Sequence, residues 1–275
     1  MKVKSMLALL GVRPKSKHYG FEVEWSALAR DGAFEYAHWL HPREKRKTFS
    51  QEQVDALRRF LSPGDTAIDI GAHSGDSTLP IALAVGTKGV VFAIEPNPYV
   101  FPILQKNASL NLDKTRVVPL DFAATPEDGE ITLEYSDAGY CNGGRHQGIS
   151  QWKHGHAFKL TVPGRNLEHF LQSKYPAELQ RLRYIKIDVE GFDLEVLKSI
   201  RALIEKRRPY LKVEVYKHST ENYRRELVRF LQDLRYNVRR VVSDSNLFGD
   251  EIMESNVTSW AHYDILAVPA ANFGA

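Results

Sequence analysis

From Ser50 to Val215 the apolar positions switch repeatedly between helical spacing and short continuous runs. Val54, Leu57, Phe60 and Leu61 fall on one face of a helix over 51–61, which Ser62-Pro63-Gly64 stops. Thr66 to Ile70 reads as a short apolar strand, and Asp76 to Val85 as a helix carrying Leu79, Ile81, Leu83 and Val85. Gly89 to Ile94 is a second strand, apolar on both faces as a parallel sheet requires. Pro98 to Leu110 predicts a helix with Phe101, Leu104 and Ala108 on one face, and Arg116 to Leu120 a third strand. This βαβαβ order predicts a doubly wound parallel sheet with helices on both faces, an α/β fold.

The middle of the chain changes character. Glu130 to Tyr135 alternates with period two and suits an exposed or edge strand. Ser136 to Gly155 is polar and glycine-rich without periodicity, a pattern that inside a compact domain marks a functional or disordered stretch. Strand and helix signals resume with strands at 183–188, 209–215, 238–242 and 263–268 and helices at 194–205 and 221–234. Residues 1–50 look like a partly helical extension, basic in places and otherwise irregular, packed on one domain over 51–275 with an insertion around 136–158.

Composition narrows the class. With 43% hydrophobic and 26% charged residues, and 37 Lys+Arg against 34 Asp+Glu, the chain is an ordinary globular protein. A single cysteine, Cys141, excludes an internal disulfide framework and a Cys-based zinc site. No apolar run approaches the roughly 20 residues of a membrane span. Met1 to Val12 is too short in its apolar part, and lacks a small-residue cleavage site before Arg13, Lys15 and Lys17; it reads as a helix of a cytoplasmic protein. The formal charge of +3 says little about partners, and the oligomeric state stays open.

Chemistry concentrates at the strand ends, where an open parallel sheet binds its ligand. Those ends read Asp69-Ile70-Gly71-Ala72-His73-Ser74-Gly75, Glu95-Pro96-Asn97-Pro98, Asp121-Phe122, Asp188-Val189-Glu190-Gly191 and Glu214. Their acids point to an acidic crevice. A dinucleotide loop wants G-x-G-x-x-G, whose second glycine admits a pyrophosphate. His73 occupies that position, which favours a cofactor without phosphates. Glu95 is placed to take the hydroxyls of a ribose. A nucleoside without pyrophosphate points to S-adenosylmethionine.

Three segments together resemble the FkbM-type S-adenosylmethionine-dependent methyltransferases: Asp69-Ile70-Gly71-Ala72-x-x-Gly75, Ala93-Ile94-Glu95-Pro96-Asn97-Pro98 and Tyr184-Ile185-Lys186-Ile187-Asp188-Val189-Glu190-Gly191, the last followed by Glu195-Val196-Leu197. The resemblance covers about Gln51 to Val215, and departs at His73, where asparagine is commoner. It implies a class I methyltransferase fold, Rossmann-like with seven strands, and methylation of a hydroxyl on a sugar, glycan or small-molecule natural product. Carried over by position, Gly71, Ala72, His73 and Gly75 would line the methionine part, and Asp69 would brace the loop or meet the amino group. Glu95 would hold the ribose, with Pro96 and Asn97 beside the adenine and Asp121 and Phe122 contacting it.

A sugar hydroxyl needs a base or a metal to become a nucleophile. Asp188 and Glu190 are the first candidates for that base, and His146 of the irregular stretch is another, beside His154 and His156. Each has a plainer reading: Glu190 as a cap for the helix starting near Phe192, Asp188 as a cofactor or loop contact, the histidines as solvated loop residues. Asp188 with Glu214 would suit a hard cation, but Glu214 could equally pair with Lys186 or Lys212, and no metal is assigned. Nucleic acid is disfavoured as acceptor, because Asp188-Val189-Glu190-Gly191 lacks the aromatic on which a flipped base would stack. A non-catalytic binding module, a methyltransferase for an amine or nucleic acid, and an NAD-linked oxidoreductase are the competing readings. Acceptor specificity is expected from residues 136–158, 1–50 and 243–262.

Overall fold

The computed structural model describes residues 17–135 and 158–270. The helix expected within residues 1–12, His146, His154 and His156, and nearly all of the insertion expected around 136–158 lie outside the described residues.

Residues 17–50 differ from the expected irregular extension. They carry an antiparallel hairpin of β1 (Phe21–Leu28) and β2 (Gly32–Trp39). Gly32 closes its turn at φ +71°, a conformation that glycine adopts without steric cost. Phe34, Tyr36, Ala37 and Trp39 of β2 are buried, while β1 is exposed at nearly every position. Ser50 then caps α1 (Gln51–Leu57): its side chain accepts the Gln53 N–H, and the Gln53 side chain returns a bond to the Ser50 N–H.

The core follows in chain order as β3 (Thr66–Ile70), α2 (Thr78–Val85), β4 (Val90–Ile94), α3 (Phe101–Ala108) and β5 (Val117–Leu120). Next come β6 (Ala123–Ala124), β7 (Gly129–Tyr135), β8 (Phe158–Arg165), α4 (Leu167–Lys174), α5 (Pro176–Leu179) and β9 (Leu182–Ile187). The chain finishes with α6 (Asp193–Ser199), α7 (Arg201–Arg207), β10 (Tyr210–Val215), α8 (Glu221–Asp233), β11 (Tyr236–Arg240) and β12 (Tyr263–Pro269). The helix expected at 194–205 is thus two helices, and β8, α4 and α5 occupy an interval where the pattern predicts nothing.

Seven strands form one sheet in the order β11-β12-β10-β9-β3-β4-β5, parallel except for β12. The α/β, mostly parallel, doubly wound sheet that the pattern and the family resemblance both imply is therefore present. Alternate residues of each central strand feed opposite cores. Ile68, Ile70, Phe92, Ile185 and Ile187 pack with Leu171 of α4, Leu197 of α6, Ile204 of α7 and Leu227 of α8. Ala67, Val91, Tyr184 and Leu266 pack with Val54 of α1 and Ile81 of α2. Helices thus cover both faces, which is why these strands read as apolar runs rather than as alternation. The period-two segment β7 belongs elsewhere, in a three-stranded sheet of order β6-β8-β7 beyond the end of β5. Successive strands build outward from β3 toward β5, and the chain then crosses to β9 on the other side. That reversal puts the topological switch point between β3 and β9.

Candidate active site

At the switch point the backbone of two strand ends nearly touches. Gly71 lies at φ +78°, and a Cβ there would stand 1.9 Å from the Asp188 carbonyl oxygen. Only glycine fits. The same approach is fixed by hydrogen bonds from Asp188 N to Ile70 O at 3.0 Å and from Gly71 N and Ala72 N to Ile94 O, each at 3.0 Å.

Above this contact opens a cavity of about 790 Å³. Of the sequence-expected residues, Gly71, His73, Glu95, Pro96, Asp188 and Glu190 line it. Glu95 is buried at its rim; its two carboxylate oxygens accept the His73 N–H at 2.9 Å and the Asn97 N–H at 2.8 Å. Burial pushes its carboxyl up to about 7, against the pull of those two amides and of Lys186. Glu190 sits at φ +54°, and burial together with the Asp188 charge lifts it to about 7 as well.

The remaining expected residues support the wall from behind or face away. Asp69 is fully buried; Oδ2 accepts both Ser77 Oγ and Thr78 Oγ1 at 2.7 Å, and Oδ1 stands 3.3 Å from Lys186 Nζ. It braces the first loop. Ala72, Gly75 and Asn97 are buried, Asn97 turning its side-chain oxygen to the Tyr99 N–H at 2.9 Å. Asp121 is exposed and away from the cavity, and Phe122 turns into the core, edge-on to Phe170 at 5.0 Å. The chain changes sheets after β5, and that bend points the two side chains away from the crevice.

Three local expectations are corrected. Glu190 does not cap the helix that follows: α6 has Phe192 at its N-cap with no side-chain hydrogen bond, and the turn at 188–191 is held by Asp193, whose carboxyl accepts the Val189 N–H at 3.1 Å and the Gly191 N–H at 3.0 Å. Burial and the nearby Asp188 push Asp193 up to about 8. Glu214 pairs with neither Lys186 nor Lys212: Lys186 bridges Asp69 and Asp188, each at 3.3 Å, and Lys212 bridges Asp244 at 2.8 Å and Asp264 at 3.1 Å. Glu214 instead lies 3.8 Å from His262 Nδ1, and burial among carboxylates raises it to about 10. Among the described residues no group of three or more His, Cys, Asp or Glu is arranged to hold a metal ion. The crevice is also not simply acidic. Asp69 is matched by Lys186, and Arg43, Lys45, Arg46 and Lys47, from the segment before α1, line the same cavity. Lys47 bridges Glu44 at 2.8 Å and Asp76 at 2.9 Å, and Arg46 pairs with Glu22 and Glu24 of β1.

Lys186 and the basic segment are the functional candidates that the sequence pattern did not single out. Lys186 alternates with Ile185 and Ile187, which reads as a solvent-facing position, but in a sheet covered on both faces it is buried and needs a carboxylate.

Residues 69–238 match the model of the methyltransferase FkbM domain. The chain belongs to the FkbM methyltransferase family. Similar proteins include the hexuronic acid methyltransferase AglP of Haloferax volcanii, 29% identical over 150 residues, which are 54% of this chain and 56% of that protein. Another is the methyltransferase sdnD of Sordaria araneosa, 27% identical over 154 residues, 48% of this chain and 59% of that protein. The aligned part thus spans less than two thirds of either relative. A crystal structure of an FkbM methyltransferase from Methylobacillus flagellatus shares 15% identity at a TM-score of 0.46, covering 78% of this chain and 50% of the other. Among the described residues of this FkbM-family chain, no helix is long and apolar enough to cross a membrane.

Proposed function

We propose that this FkbM-family protein is an S-adenosylmethionine-dependent methyltransferase, and that it methylates a hydroxyl of an acidic sugar or glycan. The observation that carries the cofactor is Glu95, a buried carboxyl that faces the cavity with one backbone N–H on each oxygen. Each oxygen keeps a lone pair for one hydroxyl of a ribose. Gly71, pressed against Asp188, leaves the adjoining wall without a side chain, and His73 fills the place where a pyrophosphate would need glycine. The donor set therefore suits a nucleoside with an amino-acid tail. Gly71 and His73 would flank that tail and Pro96 the base.

The cofactor supplies a methyl group made electrophilic by its sulfonium. The protein's work is to place the acceptor oxygen and receive its proton. Glu190, raised by burial and the Asp188 charge to about 7, near the working pH that suits a general base, can take the hydroxyl proton on its carboxylate. Asp188, held by Lys186 at 3.3 Å, stays fixed beside it and orients the hydroxyl. The acidic nature of the acceptor is supported by the basic segment Arg43 to Lys47 on the cavity wall and by the hexuronic acid substrate named for the archaeal relative. Asp188 and Glu190 on the cavity wall repel a phosphate backbone, so a small acceptor suits the site better than a nucleic acid. We assign residues 51–275 to one catalytic domain, 1–50 to its extension, and the protein to the cytoplasm.

Calorimetric titration with S-adenosylhomocysteine and with NAD tests the reading. Micromolar binding of the former alone is expected, and binding of NAD, or of neither, overturns it. Transfer of labelled methyl to a panel of uronic acids, neutral glycosides and polyketide hydroxyls then identifies the acceptor.

A further inference from the structure

The family match begins at residue 69, yet the first loop of the site is gripped by residues that precede it. Tyr36 of β2, 2% exposed, places its hydroxyl 2.9 Å from Ser74 Oγ and donates to the Ser74 carbonyl at 3.2 Å. The Asn107 side chain ties the same two elements together. It donates to Ser74 O at 2.7 Å and Ala37 O at 3.0 Å, and accepts the Ala37 N–H at 2.7 Å. The Trp39 ring meets the His73 ring edge-on at 5.6 Å. Lys47 reaches Asp76 at 2.9 Å.

Residues 73, 74 and 76 thus each have a partner on the N-terminal segment. The loop needs such support. His73 holds φ +50° between Gly71 at +78° and Gly75 at +93°, and a side-chain-bearing residue stays in that region only where its surroundings hold it. It is this conformation that aims the His73 N–H at Glu95. Left unsupported, the loop would relax toward ordinary dihedrals and withdraw that N–H.

We infer that the N-terminal hairpin is a working part of the cofactor site: Tyr36, through Ser74, and Trp39, through His73, are positioning residues for the loop that Glu95 engages. The inference rests on the S-adenosylmethionine reading above. Binding of the cofactor and folding of the hairpin against the loop are then coupled, and each strengthens the other.

Tyr36→Phe tests this, because it removes only the hydroxyl. Tyr236→Phe is the control: its hydroxyl donates to Pro209 O at 2.9 Å, is equally buried, and belongs to β11, away from the loop. Titration with S-adenosylhomocysteine should show affinity five- to ten-fold weaker in Tyr36→Phe and unchanged within two-fold in Tyr236→Phe, although both lose a buried hydrogen bond. Hydrogen exchange of residues 71–77 should quicken in the first variant and not in the second. Trp39→Phe keeps an apolar ring but shortens its reach to His73, and should weaken binding two- to five-fold; it serves as well if Tyr36→Phe fails to fold. Affinity within two-fold of wild type in the folded hairpin variants overturns the inference. Failure of the wild type itself to bind S-adenosylhomocysteine overturns the underlying cofactor reading instead, and the inference with it.

Discussion

Lys186 and Asp69 form an ion pair inside the sheet, Nζ standing 3.3 Å from Oδ1, with side chains 9% and 0% exposed. The pair joins adjacent strands, because Asp69 of β3 lies opposite Lys186 of β9 in the ladder. Lys186 also reaches Asp188 at 3.3 Å and the Gly71 carbonyl at 3.5 Å, so one ammonium ties the brace of the first loop to the residue expected to orient the acceptor.

Lys186→Met should therefore be costly. Removing the cation leaves Asp69 charged and buried, at about 3–5 kcal/mol, or a melting temperature lower by roughly 6 °C or more. Adding Asp69→Asn should restore part of the loss, since the stranded charge is gone. Thermal melting of the single and double variants checks both. A single variant melting within about 2 °C of wild type would mean that water reaches the pair.

Glu95→Ala should weaken S-adenosylhomocysteine binding about ten-fold, from roughly 1.4 kcal/mol of lost hydrogen bonding. The His73 and Asn97 amides lose their shared acceptor at the same time. Isothermal titration measures it, and unchanged affinity would remove Glu95 from the cofactor site.

Much of this site could be read from local sequence, because strand-end residues follow directly from where apolar runs stop. Asp69, Gly71, Glu95 and Asp188 come from such boundaries. Phe122 shows the limit of that rule. It comes just past Asp121, which follows β5 as Glu95 follows β4, but the chain there bends into a second sheet through the pairing of β6 with β8, and that bend leaves no mark at Phe122 itself. The hairpin was hidden for another reason. Phe21, Val23 and Trp25 alternate with polar residues and Asp31-Gly32 marks a turn, but β1 buries almost nothing, so its alternation matches no core. Lys186 required knowledge that both faces of β9 are covered, a property of the whole sheet rather than of its own segment.

Stability should fall as pH rises from about 6.5 to 8. Burial raises the Glu95 and Glu190 carboxyls from 4.5 to about 7, the Asp193 carboxyl from 3.8 to about 8 and the Glu214 carboxyl from 4.5 to about 10. A carboxyl raised by folding contributes stability that is full below its unfolded value and lost as pH rises through its folded value. His38 and His73, lowered from 6.5 chiefly by burial, oppose this trend only below about 6.5. Between pH 6.5 and 8 the carboxyls dominate, and one group titrating fully removes about 1.4 kcal/mol per pH unit, roughly 3–5 °C. Melting curves of the ligand-free protein across that window should show the decline, and Asp193→Asn should make it shallower, leaving the slope that Glu214 contributes. A flat wild-type profile would mean that these carboxyls are solvated.

The basic segment before α1 makes a prediction about the acceptor. Four cations line the cavity there, but Lys47 is engaged by Glu44 and Asp76, and Arg46 by Glu22 and Glu24. Lys45 is exposed, lines the cavity and, among the described residues, makes no ion pair. An acidic acceptor would provide the missing partner, in a charge-assisted bond of about 1.5 kcal/mol or more. Lys45→Ala should then raise the KM for a uronic acid acceptor about ten-fold, with kcat, the affinity for S-adenosylhomocysteine and the KM for a matched neutral glycoside unchanged. Lys45→Arg should preserve the preference, and added salt should raise the wild-type KM for the acidic acceptor alone, because the contact is exposed and screened. Initial rates with the acidic and neutral pair decide it. Equal KM values for the two acceptors in wild type would leave the basic segment without a role in choosing the substrate. A tenfold loss of S-adenosylhomocysteine affinity in Lys45→Ala would instead assign the lysine to the carboxylate of the cofactor.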